Sequence, residues 1–142
     1  MPKEVAYIPA LKYSRLTPLY DPLLRFILRE ATWKPELVKQ AQITNGQRIL
    51  DVGCGTATLP LLIKQMYPDA TVFGLDGDPQ ILEIARAKVA HAQVEVVLTQ
   101  SMSSALPYLD GTFDRVLSSL FFHHLTRANK ERTLQEILRV LR

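Results

Sequence analysis

The chain has 142 residues, of which 47% are hydrophobic, and a formal net charge of +3. This length fits one globular domain, and so small an excess of positive charge does not argue for a nucleic-acid partner. With Cys54 as the single cysteine, no signal peptide at the start and no apolar run near the ~20 residues of a membrane span, we expect a cytoplasmic protein.

The first third of the chain predicts a helical arm. Residues 1–18 contain three prolines and no sustained hydrophobic period, which indicates irregular structure. Apolar side chains at helical spacing predict a first helix over residues 19–31, and a second short helix follows over residues 34–42, starting near Pro35. We therefore predict an N-terminal helical arm or lid over residues 1–45 and a core over residues 46–142.

The core opens with a strand, a glycine turn and a helix. Residues 48–52 are nearly all apolar, as in a strand buried on both faces. Gly53 and Gly55 follow, with Ala57 two residues later, and residues 58–66 predict a helix with a proline in its first turn. The pattern indicates a nucleotide-binding βαβ unit, in which glycine permits the turn and close approach of a ligand.

Asp51 distinguishes two ligand classes for this turn. A dinucleotide brings an anionic pyrophosphate, which a carboxylate just before the first glycine would repel. The dinucleotide spacing also fails, because it would put Thr58 in place of the last glycine. S-adenosylmethionine instead carries a sulfonium and an ammonium group, so a neighbouring acid favours its binding.

Three further strands and two helices follow. Residues 71–75 predict strand two, and Asp76 at its end suits the ribose hydroxyls, whereas Asp78 before Pro79 is predicted to be a helix N-cap. Residues 93–99 predict strand three and residues 113–119 predict strand four. The final segment, 126–142, has apolar residues at helical spacing.

Several of these segments resemble class I S-adenosylmethionine-dependent methyltransferases. The turn from Asp51 to Ala57 resembles their acid-x-Gly-x-Gly-x-Gly motif, with Ala57 in place of the third glycine. The stretch that reaches Leu106-Pro107 and then Phe113-Asp114 resembles their next motif. Residues 14–21 resemble the lead-in of enzymes of the ubiquinone and menaquinone biosynthesis type. The resemblance covers about residues 15–142.

The resemblance implies an α/β fold with a doubly wound, mostly parallel Rossmann-like sheet in the order 3-2-1-4, and S-adenosyl-L-methionine as the cofactor. The family's later strands do not occur in the sequence, so we expect either a longer gene or a homodimer that covers the edge of strand four. No metal site is predicted. The predicted cofactor-binding residues are Tyr20, Asp51, Gly53, Cys54, Gly55, Asp76, Gly77, Met102, Ser103 and Ser119.

Two of these positions leave alternatives open. Tyr20 is either a lid over the cofactor or a packing residue of the first helix. Met102 stands where the family has an acid that accepts a hydrogen bond from adenine, and a thioether accepts weakly. Its side chain can lie against the adenine face, while the backbone of Ser103 or the hydroxyls of Ser101 and Ser103 would bind the amino group.

The function implied is methyl transfer to a small organic acceptor. The motifs of exocyclic-amino and pyrimidine C5 methyltransferases do not follow strand four, which disfavours nucleic acid as the substrate. His123 and His124 are candidate bases, but the favoured interpretation is that His124 helps to begin the next helix while His123 packs or faces solvent. Methyl transfer can depend on positioning alone. The alternatives are an RNA methyltransferase, which the basic final helix permits, or a non-catalytic S-adenosylmethionine-binding module.

Overall fold

The structure is a computed structural model that describes the backbone of residues 20–142 and the side chains from residue 29 onward. The irregular arm expected over residues 1–18 lies outside the described residues. The side chain of Tyr20 does so too, and both of its alternative roles therefore stay predictions.

Four parallel strands form one sheet in the order β3-β2-β1-β4, as predicted. Their bounds are β1 Arg48–Val52, β2 Thr71–Asp76, β3 Val96–Gln100 and β4 Arg115–Leu117. The register places Leu50 opposite Phe73 of β2 on one side and Val116 of β4 on the other. The central strand β1 is therefore bonded along both edges, which suits its apolar sequence.

Within the described residues, four α-helices connect or flank the strands. They are α1 Tyr20–Gln40, α2 Thr58–Met66, α3 Pro79–Ala92 and α4 Arg127–Val140. A short 3-10 helix, Phe122–His124, precedes α4. None of the helices that the structure describes is long and apolar enough to cross a membrane.

The core lies on both faces of the sheet because side chains alternate along each strand. Ile49 of β1 faces one cluster, which includes Val38 of α1 and Ile63 of α2. Leu50 of β1 faces the opposite cluster, which includes Val140 of α4. A third cluster joins α3 to the glycine turn. The glycine turn is thereby held in place by the core around β1 and by its packing against α3.

The N-terminal helices differ from the prediction. One helix, α1, replaces the two that the sequence predicted, and Pro35 lies inside it. A proline removes one backbone hydrogen bond but does not have to end a helix. Here Lys34 and Val38 on either side of Pro35 are both buried against the rest of the fold, which favours continuation of the helix.

Strands three and four are shorter than predicted. The alanine-rich segment extends α3 to Ala92, and Gln93 caps it with a left-handed backbone, φ +54°, so β3 starts three residues late. β4 covers only Arg115–Leu117, because Leu120 has φ +56° and interrupts the extended chain. Phe113, expected to start this strand, instead forms an isolated parallel bridge with Leu141.

Candidate active site

A cavity of about 290 Å³ opens at the carboxyl ends of the strands. The turn after β1, the end of β2, residues 101–103 and residues 119–121 line it, together with Glu30 and Lys34 of α1. Ligands of open α/β sheets bind at this edge. Of the ten predicted cofactor-binding residues, eight line the cavity; the exceptions are Asp51 and the undescribed side chain of Tyr20.

The backbone amides of the glycine turn are already bonded within the protein. The N–H groups of Gly53 and Cys54 donate to the carbonyl oxygen of Leu75 at 2.8 and 3.0 Å. The N–H of Gly55 donates to Oδ2 of Asp76 at 2.9 Å. A pyrophosphate needs such amides for itself. The turn is therefore better suited to a ligand without phosphate.

Gly53 and Gly55 permit different things. Both have left-handed backbones, with φ of +74° and +54°. A Cβ on Gly53 would lie 2.2 Å from Cγ of Phe121, so only glycine leaves room for that ring. A Cβ on Gly55 would meet nothing within 4 Å. Gly53 thus makes room for the packing of Phe121, whereas the absence of a side chain at Gly55 leaves open space at the cavity wall.

Asp51 lies beneath the turn and does not line the cavity. Its side chain is 1% exposed, and no hydrogen-bond partner for its Oδ1 atom occurs among the described residues. Burial, with a smaller contribution from Asp76, raises the pKa of Asp51 to about 8, although Lys34 opposes the shift. The unsatisfied oxygen fits a nearby hydrogen-bond donor or cationic ligand.

Asp76 at the end of β2 is held in position by the backbone. Its Oδ2 accepts from Gly55 and its Oδ1 accepts from the N–H of Asp78 at 3.0 Å. A carboxylate has about four acceptor sites, so two remain for ribose hydroxyls. Asp78 caps α3, accepting from the N–H groups of Gln80 and Ile81, which confirms the N-cap prediction.

The adenine end of the cavity offers few free side-chain acceptors. The exposed side chain of Met102 lies beside Gly77, with its Sδ 3.1 Å from where a Cβ would be. The hydroxyl of Ser103 pairs with that of Thr133 at 2.8 Å, and the hydroxyl of Ser101 donates to the carbonyl of Ala105 at 3.2 Å. The hydroxyl of Ser103 is engaged in this buried pair, whereas the oxygen of Ser101 donates its one proton and keeps lone pairs that can accept from the adenine amino group.

The two histidines differ in position. His124 lines the cavity, whereas His123 does not and packs against His124 with ring centres 3.9 Å apart and ring planes tilted by 39°. Burial and His123 lower the pKa of His124 below its ordinary 6.5. A neutral imidazole at the cavity wall can accept a proton. Burial also raises the pKa of the Cys54 thiol, which keeps it protonated and unreactive.

Two charged residues of α1 were missed from the sequence. Nζ of Lys34 lies 3.0 Å from Oε2 of Glu30, and both side chains line the cavity. The same ammonium lies 5.8 Å from the ring centre of Trp33. The Glu-to-Lys spacing of four residues is the only signal in the sequence, and it is shared with many surface pairs on helices.

The fold and the site define the class of the protein. A parallel sheet in the order 3-2-1-4, a glycine turn with its amides occupied and an acid at the end of β2 characterise class I S-adenosylmethionine-dependent methyltransferases. Residues 49–142 match the family described as "Methyltransferase domain". The chain belongs to this family, and S-adenosylmethionine is its cofactor.

Known proteins agree with this assignment. The chain is 36% identical over 131 residues to a demethylmenaquinone methyltransferase of Thermus thermophilus, covering 91% of this chain and 59% of that protein. It is 39% identical over 113 residues to the Symbiobacterium thermophilum enzyme of the same name, covering 78% of this chain and 44% of that enzyme. The chain thus spans about half the length of the curated relatives that it matches.

A solved structure shows the same fold. The crystal structure of coclaurine N-methyltransferase, bound to N-methylheliamine and S-adenosylhomocysteine, superposes with a TM-score of 0.70 at 25% identity. The superposition covers 79% of this chain and 32% of that enzyme.

Proposed function

We propose that the protein transfers the methyl group of S-adenosylmethionine to a small organic acceptor, with a demethylated quinone as the favoured class. The observation that carries the proposal is the cavity in which Asp76 closes the end of β2, while the amides of Gly53, Cys54 and Gly55 are bonded to Leu75 and Asp76. The name shared by the two relatives, demethylmenaquinone methyltransferase, supports the acceptor class.

When bound, the cofactor would supply an electrophilic methyl carbon on a sulfonium, with the thioether S-adenosylhomocysteine as the leaving group. The residues of this chain contribute binding and orientation. The free acceptor sites of Asp76 would bind the ribose hydroxyls. The open space at Gly55, where there is no side chain, would leave room for the aliphatic part of the ligand next to its sulfur. Asp51 beneath the turn, whose pKa is raised to about 8, would ionise more readily when a cation binds, because the cation stabilises the charged carboxylate.

The part of the cavity after β4 suits an apolar ring. Leu120, Phe121 and Leu125 line this part, and His124 is the titratable group beside them. An acceptor that loses a proton on methylation, such as a phenol or an enol, would give it to the neutral imidazole of His124. His123, which lies outside the cavity, would serve only as the neighbour that keeps His124 neutral.

Calorimetric titration and a transfer assay test this function. We expect S-adenosylmethionine and S-adenosylhomocysteine to bind, with no detectable binding of NAD, and label from S-adenosylmethionine to appear in a reduced demethylated quinone. His124→Gln should lower kcat by about a hundredfold, within the range for loss of a general base, whereas His123→Gln should leave most of the activity. Activity of the wild type should fall as acidification protonates His124.

The outcomes separate the candidate functions. Preference for NAD over S-adenosylmethionine would contradict the cofactor assignment. Binding without transfer to any small acceptor would favour the non-catalytic module, and transfer to RNA in the same assay would favour an RNA methyltransferase. Equal kcat for the two histidine variants would remove His124 from the mechanism without affecting the binding result.

A further inference from the structure

The charged pair on α1 is unusually buried for a helical ion pair. The side chain of Lys34 is 11% exposed and that of Glu30 is 24% exposed, with Nζ and Oε2 3.0 Å apart. Further along the same helix, Lys39 and Glu36 form a pair whose side chains are 59% and 61% exposed. Both pairs have nearly the same spacing, yet only the first lines the cavity.

Burial makes the inner pair costly for stability alone. Removing two charges from water costs more than their attraction commonly returns, so a buried ion pair is weak evidence of a stabilising role. Lys34 also lies near enough to the carboxyl of Asp51 and the ammonium of Lys88 to affect the pKa of both. The pair therefore places one positive and one negative charge at the cavity wall, close to the ionisable groups of Asp51 and Lys88.

The proposal rests on the cofactor assigned above. The amino-acid end of S-adenosylmethionine is a zwitterion, with an ammonium and a carboxylate attached to the same α-carbon. We propose that Glu30 and Lys34 bind this zwitterion, Glu30 accepting from the ammonium and Lys34 donating to the carboxylate. Each side chain then exchanges its bond to the other for a bond of the same kind to the ligand.

This assignment fits the position of Asp51. The sequence suggested Asp51 for the cationic end of the cofactor, but its carboxyl is 1% exposed and does not line the cavity. Glu30 provides a carboxylate that does line it. Asp51 then makes no direct contact with the ligand, and α1 makes the direct contacts. The N-terminal helix becomes a wall of the cofactor site and a determinant of its specificity.

Two nucleosides test the proposal on the full 142-residue chain. S-adenosylhomocysteine carries the zwitterion, while 5′-methylthioadenosine has the same adenosine and thioether without it. We expect Lys34→Met and Glu30→Gln each to weaken binding of S-adenosylhomocysteine by about ten- to a hundredfold, the scale for hydrogen bonds to charged groups. Binding of 5′-methylthioadenosine should change less than about twofold, and Lys34→Arg should retain part of the lost affinity.

Lys39→Met is the matched control, because it removes the exposed ion pair from the same helix and should alter neither affinity. Equal losses for both nucleosides, or no loss for either, would overturn the proposal while leaving the cofactor assignment intact. If Lys34→Met does not fold, the isosteric Glu30→Gln variant decides by the same comparison. Failure of the wild type to bind either nucleoside would overturn this proposal together with the proposed function.

Discussion

Gly53 and Gly55 have similar backbones and different surroundings, which allows strain to be separated from packing. Gly55→Ala should cost about 1–2 kcal/mol of unfolding free energy, the scale for a left-handed non-glycine residue. Gly53→Ala should cost at least about 3 kcal/mol, because its Cβ must also displace the ring of Phe121. Chemical denaturation of the two variants measures both values.

The same two variants should rank in the opposite order for ligand affinity, with Gly55→Ala weakening binding more than Gly53→Ala. The methyl group of Gly55→Ala extends into open space at the cavity wall, so binding of S-adenosylhomocysteine should weaken although the fold survives. Adding the Phe121→Ala change to Gly53→Ala should recover part of the lost stability. Equal destabilisation by the two single variants would show that Phe121 does not occupy the hollow above Gly53.

Asp51 gives the unfolding free energy a distinct pH dependence. Its pKa is about 8 in the folded chain and has the ordinary value of 3.8 when exposed, so between these values the folded state holds a proton that the unfolded state releases. Stability contributed by the protonated carboxyl is complete below pH 4 and is lost as the pH rises towards 8. The slope is at most about 1.4 kcal/mol per pH unit.

Asp51→Asn removes this titration, so the free energy of unfolding of the variant relative to the wild type should rise between pH 5 and pH 8. Denaturation of the ligand-free proteins at several pH values gives the difference directly. Parallel curves for the two proteins would mean that Asp51 stays ionised in the fold. In that case its unsatisfied oxygen would need a donor that the described residues do not supply.

The residues of the site were predictable to different degrees. Gly53, Gly55 and Asp76 follow from a turn between strand and helix, because local spacing alone fixes their geometry. The burial of Asp51 could not be read from the chain, since it depends on how α1 and β2 cover it. Glu30 and Lys34 were missed for a similar reason: their spacing is common on helices, and only tertiary packing brings them to the cavity.

At the level of elements, β2 ends and α3 begins within three residues, and the two acids there have separate functions. Asp78→Ala should lower the unfolding free energy by about 1 kcal/mol, as loss of an N-cap does, and should leave the ribose contact in place. Asp76→Ala should weaken binding of S-adenosylmethionine by about 1–3 kcal/mol. Calorimetry and thermal denaturation on both variants measure the two effects.

Asp78→Ala also serves as the control for Asp76→Ala, since the two changes remove the same group two residues apart. If the loss of affinity is equal for both, the ribose assignment of Asp76 is wrong and the turn as a whole is responsible. Asp76 also holds the amides of Gly55 and Asp78, so some destabilisation is expected from its removal as well.

Element types were largely predictable, and element ends were not. The strand-turn-helix pattern correctly predicted β1 and α2, whose boundaries match the expectation. Pro35 was taken as a helix start because local rules favour that position, yet burial on both sides of it keeps α1 continuous. Gln93 after α3 and Leu120 beyond β4 have left-handed backbones. Neither glutamine nor leucine favours that conformation, so the sequence could not predict it at these positions.

For the whole molecule, the order of the sheet leaves β4 at one edge. The backbone of Phe113, just before β4, bonds on the side away from β1. Its N–H donates to the carbonyl of Val140, and its carbonyl accepts from the N–H of Arg142. Since peptide groups alternate along a strand, the amides of Arg115 and Leu117 point to the same outer side. No strand covers these two amides within the described part of the chain.

An open edge of this kind favours pairing with another strand. We therefore expect the 142-residue chain to self-associate with rising concentration in light scattering. Hydrogen exchange should show the amides of Arg115 and Leu117 becoming protected over the same concentration range, while those of α3 stay unchanged. A monomer at all concentrations, with both amides exchanging freely, would contradict pairing through β4.

The contact between Trp33 and Lys34 has a practical consequence. Trp33 is the single tryptophan of the chain, and the ammonium of Lys34 lies 5.8 Å from its ring centre. Indole emission is sensitive to a charge beside the ring, so movement of the Lys34 ammonium should change the fluorescence of Trp33. The protein thus carries an intrinsic fluorophore next to Lys34, a residue that lines the cavity, and we expect ligand binding there to change the tryptophan emission without a label.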